Sequence, residues 1–183
     1  MNAAGLRGLL LGAALLPAAA FGTGFAPELE GEAGLELLGS GTASYMVWDV
    51  YDAALYAPAS ASESTLQGGA LPMTLILEYH RDVGVDGIRK AAWKALEDQR
   101  DEADREALRD RVEALHDAMR DVGDGDRYRL DWRPETPALR LSLNGTTVFE
   151  SEDAELARVY FGIWLGEPPL SDDLRKALLA RLD

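Results

Sequence analysis

Tyr79 and Arg81 stand two residues apart in the stretch MTLILEYHRDV, Met73 to Val83. Side chains alternate along an extended chain, so these two project from one face. A guanidinium offers two parallel N–H donors to a carboxylate, and a phenol adds a third. Leu75 and Leu77 share that face and supply an apolar wall behind the pair. Together they describe recognition of an acid with an apolar body. A second set of such residues lies upstream in YMVWDVYDAALYAP, Tyr45 to Pro58. Read as one strand over Tyr45–Ala57, it places Tyr45, Asp49 and Tyr51 along a cleft, while Trp48 and Val50 hold the strand to the core. Tyrosine suits a cleft wall because its ring is apolar and its tip hydrogen-bonds. The competing reading is purely structural: Arg81 pairs with Asp49, Asp52 or Asp82, and Tyr79 caps the core.

Other chemistries find little footing. The chain has no cysteine, so neither thiol chemistry nor a disulfide framework is available. Its two histidines, His80 and His116, are far apart and lack metal-ligand spacing, so no metal site is expected, and nothing marks a cofactor site. The formal net charge of -14 repels phosphate backbones, which argues against nucleic acid as a partner and against anionic lipid headgroups.

The N-terminus reads as a targeting segment. Arg7 is the one cation before the apolar run Leu9 to Ala20, which ends in Pro-Ala-Ala-Ala. This is the layout of a secretory signal peptide, too short to span a bilayer, with cleavage expected after Ala20. Residues 1–20 are therefore assigned to the signal and 21–33 to a linker or irregular arm rich in Gly, Pro and Glu. Residues 34–183 form one domain. Periplasmic localisation follows as an expectation, with no stable membrane span after cleavage.

These candidate residues need elements to hold them. A first strand begins at Leu35–Leu38 and is broken by Gly39-Ser40-Gly41; Tyr45–Ala57 and Met73–Val83 follow, with a polar loop over Ala59–Leu71 between them. Asp86–Arg100 and Glu102–Val122 read as helices, the first with Asp86 as N-cap, the second with Leu108, Val112, Leu115 and Met119 as its apolar stripe. Arg127–Trp132, Leu139–Leu143 and Thr146–Glu150 are short strands, the last two joined by the hairpin dipeptide Asn144-Gly145. Asp153–Leu165 and Asp172–Leu182 are the closing helices, the latter capped by Ser171. Grouped strands and grouped helices indicate an α+β fold with a largely antiparallel sheet.

VYDAALYAP (Val50–Pro58), LEYHRDV (Leu77–Val83), GDRYRLDW (Gly125–Trp132), LNG (Leu143–Gly145) and FGIWLGEPPLSDDLRKALL (Phe161–Leu179) occur in that order. In order and spacing they resemble the exported chalcone isomerase-like proteins of bacteria, over roughly residues 34 to 183. The resemblance implies an open-faced β-sandwich, a large antiparallel sheet with helices layered on it, and a ligand cleft between the two. In the plant enzymes of this fold an arginine polarises the substrate while a threonine and a tyrosine hold a water. In relatives without isomerase activity an arginine and a tyrosine hold a fatty-acid carboxylate. Here Arg81 is the one arginine between Gly34 and Asp82, and Asp49 aligns with the threonine. A carboxylate at that point repels an anionic phenolate, so the isomerase loses its electrostatic core. The expectation is a non-catalytic protein that binds a small amphipathic molecule, a fatty acid or an aromatic acid, through Tyr79, Arg81, Tyr51, Tyr45 and Asp49. An isomerase or lyase with altered residues, and a partner-binding module with no ligand, are the alternatives.

Overall fold

The structure, a computed structural model, describes residues 24–32 and 34–182. The expected signal segment lies outside them. Six strands form one antiparallel sheet in sequential order: β1 (Glu36–Tyr45), β2 (Trp48–Ala57), β3 (Met73–Tyr79), β4 (Arg127–Arg133), β5 (Ala138–Leu143) and β6 (Thr146–Ser151). The helices are α1 (Glu63–Gln67), α2 (Val85–Gln99), α3 (Glu102–Ala118), α4 (Ala154–Leu165) and α5 (Asp172–Leu178). Period-2 alternation explains the layering. Tyr51, Ala53 and Leu55 on β2, Leu75, Leu77 and Tyr79 on β3, and Tyr128, Leu130 and Trp132 on β4 pack with the apolar stripes of the helices in one core. Ala54, Tyr56 and Ile76, from the other parity, join Leu35 and Leu37 beneath Phe25 and Leu29 of the N-terminal arm. The sheet thus carries helices on one face and the arm on the other, the open-faced α+β sandwich expected. Among the described residues no helix is long and apolar enough to cross a membrane.

Several boundaries differ from the sequence reading, each for a physical reason. Tyr45–Ala57 is not one strand. Met46 takes φ 58°, the chain reverses over Met46-Val47, and Tyr45 ends β1 while Trp48 begins β2. That turn contains no Gly, Asn, Asp or Pro, so alternation runs through it unmarked. Gly39 and Gly41 do not break β1; the ladder continues through a bulge at Leu38. A Cβ at Gly39 would lie 2.1 Å from the Ala177 carbonyl oxygen, so this glycine admits α5 against the strand. β3 stops at Tyr79 because Val83 leaves the sheet to bridge Val122, and that same bridge holds residues 119–122 extended and ends α3 at Ala118. α2 starts at Val85 with Gly84, not Asp86, at its cap position, and the Asp121 carboxylate accepts from Val85 N at 2.8 Å. The polar loop contains α1, capped by Ser62. The Asn144-Gly145 hairpin and the Ser171 cap form as read, the turn with φ 50° and 79°.

Opposite the helices, the sheet buries charge. Asp131 and Thr74 are cross-strand neighbours, both buried, with Thr74 Oγ1 donating to Asp131 Oδ1 at 2.6 Å. Arg129 Nε donates to Asp131 Oδ2 at 2.8 Å, and Arg133 Nη2 to Oδ1 at 3.2 Å. Glu32 of the arm bridges both guanidinia, at 3.0 and 3.1 Å. The arm is held further by Tyr56, whose hydroxyl donates to the Ala26 carbonyl at 2.9 Å.

Candidate functional site

The sheet ends of β2, β3 and β4 bring three phenols together. Tyr51 and Tyr79 are register partners, their ring centroids 5.5 Å apart and tilted by 57°. Tyr79 meets Tyr128 edge-on at 6.3 Å. α4 lays Tyr160 and Trp164 over them because these residues, four apart, share its inner stripe. Trp164 Nε1 donates to the Tyr51 hydroxyl at 3.0 Å, closing the ring of aromatics. α3 adds His116, whose ring stands edge-on to Tyr160 at 5.8 Å and to Trp93 of α2 at 6.0 Å.

Burial dominates the electrostatics of this cluster. It pushes the hydroxyls of Tyr79 and Tyr160 far above the ordinary tyrosine range, and those of Tyr51 and Tyr128 upward as well; neighbouring phenols add to the effect on Tyr79. All four keep their protons at neutral pH. Burial also lowers His116 to about 4, so the imidazole is neutral. Its two ring nitrogens are buried without a hydrogen-bond partner among the described residues. Among the described residues the Tyr160 hydroxyl reaches only the Met119 sulfur, a weak acceptor, at 3.5 Å. Tyr128 is better served, accepting from Arg120 N at 2.8 Å.

Of the residues singled out in the sequence, Tyr51 and Tyr79 come together. The others do not join them. Tyr45 is exposed at the tip of the β1–β2 hairpin, and Trp48 is exposed beside it rather than holding the strand to the core. Asp49 faces solvent and accepts from Ser44 Oγ at 2.7 Å. Arg81 follows the end of β3, and its guanidinium lies over the Trp48 ring, 5.0 Å from the centroid. It pairs with none of Asp49, Asp52 or Asp82; Asp52 is instead 3.1 Å from His80. Tyr79 does cap the core, as the competing reading held. Tyr128, Tyr160, Trp164 and His116 escaped the sequence reading as site residues. Their helical or strand period identifies them as buried, but only tertiary packing makes them neighbours.

Two depressions mark the surface elsewhere. One, about 210 Å³, lies between α1, α2 and α4 over Leu66, Phe161 and Leu165, with Arg100 and Arg158 at its edge. The other lies on the arm side of the sheet, where Arg127, Arg129 and Arg140 are each paired to an acid.

The closing hydrogen bond of the aromatic ring gives a direct test of its rigidity. Tyr51→Phe leaves the Trp164 N–H unpartnered and lowers stability by about 1 kcal/mol. Chemical denaturation of the two proteins measures this.

A six-stranded meander with helices on one face and aromatic side chains between the layers defines the open-faced sandwich class. The sequence profile of the chalcone isomerase-like family matches residues 26–180, and the chain belongs to that family. Among curated proteins no sequence matches it significantly. Among solved structures 38 chains match. One is the crystal structure of a fatty-acid binding protein of Arabidopsis thaliana, 17% identical, with TM-score 0.64 over 90% of this chain and 95% of that one. At that identity the likeness is one of fold.

Proposed function

We propose that this protein is an exported, non-catalytic binder of a small amphipathic acid, held between the sheet and α4. The observation that carries this reading is the shortage of polar partners inside the aromatic cluster. Buried polar atoms in folded proteins almost always have partners. Among the described residues both His116 ring nitrogens lack one, and the Tyr160 hydroxyl has only a thioether. A bound molecule carrying an oxygen function would satisfy them. Its apolar body would lie among Tyr51, Tyr79 and Tyr160, admitted as Trp164 lifts from Tyr51. Its carboxylate would meet Arg81 at the open end of the strands, where no acid pairs with that guanidinium among the described residues. The fatty-acid binding neighbour of the same fold supports the ligand class. The absence of catalysis is supported by phenols that hold their protons well above neutrality and by Arg81 standing apart from them.

The test is isolation of the protein from its own cells, denaturation and mass spectrometry of the released small molecules, followed by calorimetric titration with 12-hydroxydodecanoate and 4-hydroxycinnamate, each of which carries a hydroxyl besides its carboxylate. A stoichiometric acid is expected, with affinity at least tenfold weaker in Arg81→Ala, about 1.4 kcal/mol. An empty protein that takes up neither acid defeats the reading. The mass of the N-terminal peptide from the same preparation checks cleavage after Ala20. The partner-binding alternative also has an observation in its favour, the exposed hairpin tip.

A further inference from the structure

Tyr45, Met46, Val47 and Trp48 are 72, 83, 83 and 59% exposed. Beyond them the one large exposed hydrophobic residue among those described is Leu170, at 37%. The four are consecutive and form the tip of the β1–β2 hairpin. Nothing in folding requires apolar residues there. Met46 also holds φ 58°, a backbone region where Gly, Asn or Asp is usual. The β5–β6 hairpin makes its own reversal with Asn144-Gly145. The β1–β2 tip therefore carries two departures from stability, exposed apolar surface and a strained Met, which together mark an interaction surface.

The form of the tip selects its partner. It is a narrow convex finger, which a flat rigid surface covers poorly and a fluid one closes around. Its chemistry is layered along the hairpin. Met46 and Val47 lead; Tyr45 and Trp48, rings with polar edges, flank them. The Arg81 guanidinium lies over Trp48. Asp49 comes next along β2, held by Ser44. Acyl chains, then phosphate, then ammonium is the matching order in a zwitterionic phospholipid leaflet, whose headgroup boundary favours Trp and Tyr. A chain with net charge -14 is repelled by an anionic leaflet, and a zwitterionic one carries no such penalty.

We propose that the β1–β2 hairpin tip docks the protein on a zwitterionic phospholipid surface. Met46 and Val47 enter the acyl boundary, Tyr45 and Trp48 sit among the headgroups, and Arg81 meets phosphate. Arg81 is common to this proposal and to the ligand reading; the tip itself lies outside the aromatic cluster, and the variants below leave Arg81 in place, so the two readings fail separately.

The probe is a vesicle of phosphatidylcholine and phosphatidylethanolamine containing brominated acyl chains, titrated with the chain from residue 21 onward, which lacks the apolar run Leu9–Ala20. Bromine quenches nearby indoles. Trp48 is the exposed indole, whereas Trp132 is buried and Trp93 and Trp164 pack on the core. Quenching with a blue shift of emission is expected in the wild type. In the double variant Met46→Gly/Val47→Ser, which keeps Trp48 and installs ordinary turn residues, lipid affinity should fall at least tenfold with an unchanged or higher melting temperature. Trp48→Ala, read by co-sedimentation, should fall similarly. The proposal is overturned if wild-type Trp48 is not quenched, or if the double variant is quenched equally. It is also overturned if the tip instead drives self-association without lipid, abolished by the same double variant.

Discussion

Between pH 6.5 and pH 4 the folded protein loses about 3 kcal/mol of stability, and the His116→Phe variant does not. The sign follows from proton binding. In the unfolded chain His116 takes up a proton near its ordinary value of 6.5; in the folded protein burial holds that uptake back to about 4. The unfolded state therefore binds more protons throughout this interval, and stability falls as pH falls. Below about pH 4 both states carry the proton and the His116 contribution levels off. A separate loss then begins, because Asp126 and Asp153 have carboxyls held below their usual range, Asp126 by the Gly123 N–H and the Asn144 amide, Asp153 by N–H groups at the start of α4 and by Arg111. That loss remains in His116→Phe, which separates the two causes. The variant also removes two buried, unpartnered nitrogens while keeping a ring against Trp93 and Tyr160, so it should be more stable than the wild type at pH 7 by about 1 kcal/mol. Urea unfolding at pH 7, 5.5 and 4.5 measures both effects. Equal pH dependence in the two proteins would show that His116 is not the titrating group.

Asp131→Ala should lower stability by about 3 kcal/mol, the largest effect expected of a single change on the arm side of the sheet. The carboxylate is buried and accepts from Thr74, Arg129 and Arg133. Removing it leaves two arginines on the same face of β4 with Glu32 as their shared acid. Those guanidinia are partly exposed and can turn to water, which keeps the figure at the lower end of what a buried pair loses. Glu32→Gln, on the exposed side of the same network, should cost less than 1 kcal/mol. It should, however, loosen the arm, raising proteolysis within residues 24–32 without a matching fall in the global unfolding midpoint. A loss below 1 kcal/mol in Asp131→Ala would mean that the arginines find water or other acids as readily as Asp131.

The sequence by itself determined the class of the fold and most of its elements. Period-2 runs at Met73–Tyr79 and Arg127–Trp132, the Asn144-Gly145 turn and the Ser171 cap are local properties, written in neighbouring residues and realised without help from distant ones. The sheet–helix layering followed from their grouping. Where local chemistry was silent, the reading failed. The Met46-Val47 reversal has no turn residue to announce it, so the sequence reads as one strand where a hairpin stands, with Tyr45 along a cleft and Trp48 against the core, whereas both lie at the exposed tip. Tyr79 and Arg81 share strand parity, but parity sets a common face only as far as β3 extends. β3 ends at Tyr79 because Val83 finds Val122, a pairing between residues 39 apart in sequence, and Arg81 is carried to Trp48. The cluster of Tyr128, Tyr160, Trp164 and His116 with Tyr51 and Tyr79 was decided wholly by tertiary structure. Each residue reveals its burial through its period, but periodicity says which face a side chain occupies and not which distant face it meets. That meeting is fixed by packing α3 and α4 across the sheet, and it leaves the His116 ring nitrogens without a hydrogen-bond partner among the described residues.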